Sequence, residues 1–268
     1  MNAEKELVRE FWDEAACGED LYLRGSDVAS YELQAKQRYE LEPYISEFAE
    51  FDAAKGKRVL EIGVGLGADH QRFAEAGAEL CGIDLTARAV DHTRRRLSAY
   101  GLTSNVKIGD AERLEFPTGY FDRVYSWGVL HHSPATPDAV SEVWRVLKPG
   151  GKAHIMIYHK WSLVGLMLWV RYALLRLRPW LSLREVYARY LESPGTKAYT
   201  VREAKQLFSQ FRAVEVATVL THGDLLESQA GQRHNGPLLS IARRIWPRAG
   251  LRRFARNLGL FMLIRATK

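Results

Sequence analysis

The stretch VLEIGVGLGADH, residues 59–70, runs from an apolar strand into three glycines, Gly63, Gly65 and Gly67, and out into a helix. Glycines at such a junction let the backbone turn through conformations that other residues resist, and they let a ligand approach the N–H groups at the helix start. With Ala68, the run satisfies the loose pattern G-x-G-x-x-G/A that cradles a dinucleotide pyrophosphate. Glu61, two residues before the first glycine, argues otherwise. A carboxylate there repels a pyrophosphate and favours a ligand carrying positive charge.

Working outward, short apolar runs alternate with helical stretches, the pattern of βα units on a mainly parallel sheet. RVLEIG reads as the first strand, AELCGID as the second, NVKIGDA as the third, FDRVYSW as the fourth and KAHIMIYH as the fifth, with KPGG as a turn before it. AVEVATVL and GLFMLIRAT supply a sixth and a seventh. Thr86 is expected to cap one helix, and Thr200 with Glu203 forms a capping-box pair for another. Asp84 closes the second strand, where a carboxylate can accept from both hydroxyls of a ribose, and Asp110 closes the third, within reach of an adenine amino group. Three acidic side chains at the carboxyl ends of successive strands describe a pocket for a nucleoside with a cationic tail.

Jointly, VLEIGVGLG, GID at 82–84, GDAERLEFP at 109–117, FDRVYSWGVLHHSP at 121–134 and LKPGGKAHI at 147–155 resemble the class I S-adenosylmethionine-dependent methyltransferases over roughly residues 55–158. The resemblance implies a Rossmann-like α/β fold, a seven-stranded mainly parallel sheet with helices on both faces and an antiparallel last strand beside the fifth. It implies S-adenosyl-L-methionine as cofactor, with S-adenosyl-L-homocysteine as product. By the family pattern Glu61, Gly63, Gly65 and Gly67 face the methionine part, and Asp84 the ribose. Leu85 then faces the adenine ring, Asp110 and Ala111 its edge, and Ser126 and Trp127 the sulfonium region. Asp69, in the first helical turn, is a weaker candidate.

Methyl transfer from a sulfonium needs alignment and exclusion of water, and a base only when the acceptor must lose a proton. His132, and after it His131, are the candidate bases, since they follow the fourth strand and imidazole titrates near about 6.5. The competing reading is local hydrogen bonding before Pro134. Tyr158 and His159, ending the fifth strand, are candidates for the acceptor site. Tyr31, Arg38 and Tyr39 are expected in a helical cover formed by residues 1–55. Residues 56–268 then form the methyltransferase domain, with insertions at about 160–198 and 222–257. No metal is expected.

The 268 residues and 47% hydrophobic content fit a globular protein with a sizeable core. Cys17 and Cys81 stand far apart, which suggests neither a disulfide framework nor a thiolate metal site. The N-terminus shows no secretory pattern, so a cytoplasmic location is expected, peripheral to the membrane if the basic half binds lipid. The net charge of +6 is uneven. Lys plus Arg number 19 against 26 acidic residues up to residue 158, and 19 against 6 beyond it. WSLVGLMLWVRYALL is too short and too charged for a confident span. It reads as a lid over a lipophilic or aromatic small-molecule acceptor, a contact with an anionic membrane, or a buried face, against the domain or in a homodimer. In the second insertion Leu238, Ile241 and Ile245 share one helical face amid arginines. The sequence shows no nucleic-acid-binding module, and the basic residues are mixed with aliphatic runs, so nucleic acid is the lesser partner and RNA methylation the alternative activity. A non-catalytic, membrane-associated scaffold that binds adenosylmethionine is the other.

Overall fold

The computed structural model describes residues 3–19, 23–227 and 243–268. Helices α1 (Ala3–Glu14), α2 (Val28–Leu41) and α3 (Tyr44–Ala49) precede the sheet. Pro43 separates α2 from α3 by removing an amide donor where one continuous helix would need it. Strand β1 (Arg58–Ile62) then leads through the glycine loop into α4 (Ala68–Glu75). β2 (Glu79–Asp84), α5 (Ala87–Ala99), β3 (Asn105–Ile108), β4 (Phe121–Trp127), α6 (Thr136–Val146) and β5 (Leu147–Tyr158) follow.

Beyond β5 come α7 (Leu163–Trp169), α8 (Leu183–Tyr190), α9 (Val201–Leu207), β6 (Ala213–Val219), α10 (Arg248–Phe254) and β7 (Phe261–Thr267). The sheet order is β3-β2-β1-β4-β5-β7-β6. Neighbours pair in parallel from β3 to β5, and β7 lies antiparallel to both β5 and β6. The expected Rossmann-like α/β arrangement with its antiparallel last strand is therefore present.

The KPGG segment falls inside β5 and not before it. Pairing with β4 jumps from Phe121 opposite Leu147 to Arg123 opposite Lys152, so the extra residues form a bulge. There the Gly150 N–H donates to the Lys268 carbonyl at 2.9 Å, tying the bulge to the chain end.

One core cluster joins Leu60, Ile62, Val124 and Ile155 of the sheet to Val140 and Val143 of α6 and Phe208 after α9. A second joins Val59, Tyr125 and Met156 to Phe48 of α3 and Phe73 of α4. The N-terminal helices are fastened by Arg96 of α5, which is buried. Its guanidinium donates to Gln34 Oε1 at 2.6 Å and the Tyr31 carbonyl at 3.0 Å in α2, and to Gln71 Oε1 at 2.7 Å in α4. Such a residue is stable inside only because each donor finds an acceptor.

The first insertion folds as a hairpin of α7 and α8. Leu168, Tyr172, Ala173, Leu181 and Val186 form a small core of its own, and the Tyr172 and Tyr190 rings stack 4.0 Å apart. In the second insertion Leu238 and Ile241 lie outside the described residues, while Ile245 is exposed. No helix among the described residues is long and apolar enough to cross a membrane.

Candidate active site

The carboxyl ends of β1, β2, β3 and β4 open onto one cavity of about 770 Å3, the edge at which open α/β sheets bind ligands. Glu61, Gly63, Gly65 and Gly67 line it on one side. Asp84, Leu85, Asp110 and Ala111 line the next, and Trp127, His132 and Tyr158 a third. Three expected residues do not line it. Ser126 is buried and donates to the Ile62 carbonyl at 2.9 Å; His159 sits within hydrogen-bond distance of the Gly259 carbonyl at 3.2 Å; His131 is fully buried behind His132.

Gly63, Gly65 and Gly67 have φ of 84°, 50° and 76°, which only glycine adopts without strain. A Cβ on Gly65 would meet nothing within 4 Å, so the loop presents bare backbone there. Asp84 Oδ2 accepts from Gly65 N at 3.2 Å, while Oδ1 accepts from the Thr86 amide at 3.0 Å and hydroxyl at 2.9 Å. The carboxylate thus fixes the loop at the edge of the cavity. Gly82 serves closeness of another kind, since a Cβ there would stand 2.6 Å from His70 Cε1.

His70 explains the state of Glu61. Ser104 donates its hydroxyl to the Leu80 carbonyl at 2.8 Å, so it accepts from His70 Nε2. His70 Nδ1 then faces Glu61 Oε2 at 2.8 Å with one proton between them. Burial pushes Glu61 well above the usual carboxylate range and His70 down to about 3, so the pair is neutral overall. The sequence argument took Glu61 as a bare negative charge; in the fold, a ligand ammonium can draw its proton toward His70.

Charge is concentrated one turn further on. Asp69 accepts two bonds from Arg38, at 2.7 and 3.1 Å, one from Tyr125 at 2.8 Å and one from Tyr39 at 3.0 Å. Burial would raise its pKa, but the Arg38 guanidinium and the hydroxyls outweigh this and hold it below the usual range. Arg38 and Asp69 both line the cavity, whereas Tyr31 packs under Arg96. Glu42 of the same wall is pushed up to about 7, first by burial and despite Arg38. At the opposite end Lys5 of α1 bonds Asp110 at 2.6 Å and also Glu112, so the carboxylate expected at an adenine edge already has a cation.

The remaining wall comes from distant parts of the chain. Trp12 of α1 meets the His132 ring edge-on at 5.2 Å. Val164, Leu191 and Glu192 of the hairpin, and Leu260 and Phe261 at β7, complete an apolar side. Glu192 Oε2 accepts from the Tyr158 hydroxyl at 2.7 Å and lies 3.3 Å from His132 Nε2. No motif marks Lys5, Glu42 or Glu192, since each reaches the cavity only through the packing of its helix. Arg38 is less hidden, for its place in the N-terminal helices follows from the architecture of the resembled family.

Residues 59–151 match the family described as a methyltransferase domain. The chain is 38% identical over 116 residues to a fatty-acid O-methyltransferase of Mycolicibacterium smegmatis, covering 42% of this chain and 41% of that one. It is 36% identical over 119 residues to phosphoethanolamine N-methyltransferase 2 of Caenorhabditis elegans, covering 43% and 26%. The chain thus spans well under half the length of these relatives. Among solved structures it resembles a Haemonchus contortus phosphoethanolamine N-methyltransferase 2 in complex with S-adenosylhomocysteine. That match has TM-score 0.59 at 19% identity and covers 97% of this chain and 60% of that one. It also resembles the [4+2]-cyclase SpnF, with TM-score 0.57 at 17% identity, covering 98% and 93%. At such identities these likenesses show the fold alone, and the cyclase illustrates that a fold does not fix a reaction. Residues 59–151 are therefore similar to a methyltransferase domain, carried on the seven-stranded sheet that the motif set implied.

Proposed function

We propose that the chain transfers a methyl group from S-adenosylmethionine to a small lipophilic acceptor. The observation that carries this is the convergence of Glu61, Asp84 and Asp110 around a bare glycine loop on one cavity. The residues present fit the cofactor: Gly65 leaves open space at the loop, Asp84 lines the cavity at the end of β2 where a ribose would lie, and Glu61 and Glu42 offer oxygens to an ammonium. Leu85 and Ala111 supply apolar surface for an adenine. When bound, the cofactor supplies an electrophilic methyl on a sulfonium.

The protein's part is to orient and to exclude water. Trp12, Trp127, Tyr158, Val164, Leu191 and Phe261 make the acceptor side apolar. Relatives acting on a fatty acid and a sterol support a lipophilic acceptor. His132 is the group best placed to take a proton from an acceptor, for it lines the cavity while His131 does not. Residues 1–55 serve as the cover, since Lys5, Trp12 and Arg38 close the cavity from that side.

The hairpin supports contact with an anionic membrane. Residues 160–184 contain Lys160, Arg171, Arg176, Arg178 and Arg184 and no acidic residue, and Leu175, Leu177 and Trp180 are exposed at the tip. The base of the same hairpin lines the cavity, so a lipid-borne acceptor would have a short path.

The test is incubation with methyl-labelled S-adenosylmethionine and cell extract, partitioned into lipid, polar-metabolite and RNA fractions, beside calorimetry of cofactor binding. Label is expected in the lipid fraction, and Asp84→Ala is expected to weaken cofactor binding at least about tenfold, as loss of charged hydrogen bonds does. Binding without any label would mean a non-catalytic protein; label in RNA would replace the acceptor; absence of binding ends the proposal.

A further inference from the structure

His132 and Glu192 line the cavity and His131 is buried beside them, with one ligand atom of each within 4.8 Å of the others. His131 is 0% exposed, and neither of its ring nitrogens has a hydrogen-bond partner. Imidazole nitrogens are seldom left so inside a protein, where an unmet polar atom is costly. Ser193 Oγ and Thr196 Oγ1 stand 2.8 and 3.2 Å from His132 Nδ1, and Thr196 gives its hydroxyl proton to the Ser193 carbonyl at 2.6 Å. In the tautomer whose Nδ1 donates to these oxygens, His132 turns a lone pair on Nε2 toward Glu192 Oε2 at 3.3 Å, and the two make no hydrogen bond. Two electron-rich atoms at that separation repel unless a cation lies between them.

We propose that His131, His132 and Glu192 bind one divalent first-row transition ion of the zinc class, with its open positions facing the cavity. Two neutral imidazoles and one carboxylate are the donor set that such ions accept. The surrounding contacts are those that ligands to metals require: Ser193 and Thr196 orient His132 through its other nitrogen, and the Tyr158 hydroxyl orients Glu192 at 2.7 Å. The nearby cation, Lys197, is turned away onto the carbonyls of Ser133 and Pro134. The competing role is the one given above, in which His132 Nε2 stays free of metal and takes a proton from an acceptor.

Calorimetric titration of the chelator-stripped full chain with Zn2+, and visible absorption with Co2+, decide between them without any use of methyl transfer. One ion per chain and ligand-field absorption are expected. Glu192→Gln and His132→Ala are each expected to weaken Zn2+ binding at least about 100-fold, the scale of losing a ligand or its support. His92→Gln, which removes a histidine beside Glu19 elsewhere, is expected to leave it unchanged. His131→Ala is informative only with a cooperative thermal melt, and Glu192→Gln, at the half-exposed wall, carries the test if that variant does not fold. Absence of stoichiometric binding by the wild type, or binding indifferent to Glu192→Gln and His132→Ala, overturns the proposal and leaves the competing role.

Discussion

At the scale of single residues, the cavity is governed by how burial and neighbours set charge. Glu42 is the group whose titration falls in the working range, at about 7. Below that pH it is mostly protonated in the free protein, and a ligand bearing ammonium and sulfonium charges favours its carboxylate. Binding therefore expels a proton, and affinity for S-adenosylmethionine is expected to rise with pH up to neutrality, by at most about tenfold per unit, and level off above. Calorimetry in buffers of different ionisation enthalpy reads the released proton, and Glu42→Gln is expected to abolish both the release and this part of the slope. An unchanged slope in that variant would assign it to the Glu61 and His70 pair. Much of this layer was legible beforehand: Glu61, Asp84 and Asp110 were recognisable because each ends a strand at a fixed offset from a glycine or a turn. The proton shared by Glu61 and His70 was not, because it depends on Ser104 turning its hydroxyl to the Leu80 carbonyl.

Among the elements, the α7 and α8 hairpin departs most from the plain sheet architecture. Gly165 lets the two helices touch, for a Cβ there would stand 2.1 Å from the Tyr187 hydroxyl. The hairpin is held by its own small core, so its outward side chains are left to another surface. Leu177 is 82% and Trp180 75% exposed. Replacing Leu175, Leu177 and Trp180 together by Ser is expected to lower co-sedimentation with vesicles containing phosphatidylglycerol about tenfold or more, because burial of each such side chain is worth about 1.5–3 kcal/mol. The melting temperature is expected to hold, as the removed groups contribute little to packing. Equal binding by wild type and variant, or binding to neutral vesicles alone, would refute a lipid-facing tip. Residues 161–175 were readable as an apolar run interrupted by Arg171, too short and too charged for a confident span. Which leucines face outward was not, since the chain passes from α7 into a π-helical turn at Val170–Leu174 that shifts the faces.

For the whole molecule, the cavity draws on α1 and α2 at one end of the chain, four strand ends in its middle, and α8 and β7 at the other. A ligand held by all of them binds the folded chain alone. S-adenosylhomocysteine at about 100 times its dissociation constant is expected to add about 2.7 kcal/mol of stability, roughly 5–10 °C in melting temperature, and Asp84→Ala to remove at least about half of that shift. A thermal melt that does not respond to ligand would contradict it. The sequence alone determined the α/β fold, the methyltransferase-like motif set and the loop-side half of the cavity. Strand periodicity, glycine spacing and strand-end carboxylates are local properties, and in a parallel sheet they bring the ends of consecutive strands to one edge. Tertiary structure alone decided the other half: Lys5 on Asp110, Arg38 on Asp69, and Glu192 beside His132. Those pairs join residues from 31 to 105 positions apart, and whether they meet depends on how helices pack on the sheet, which no local pattern encodes.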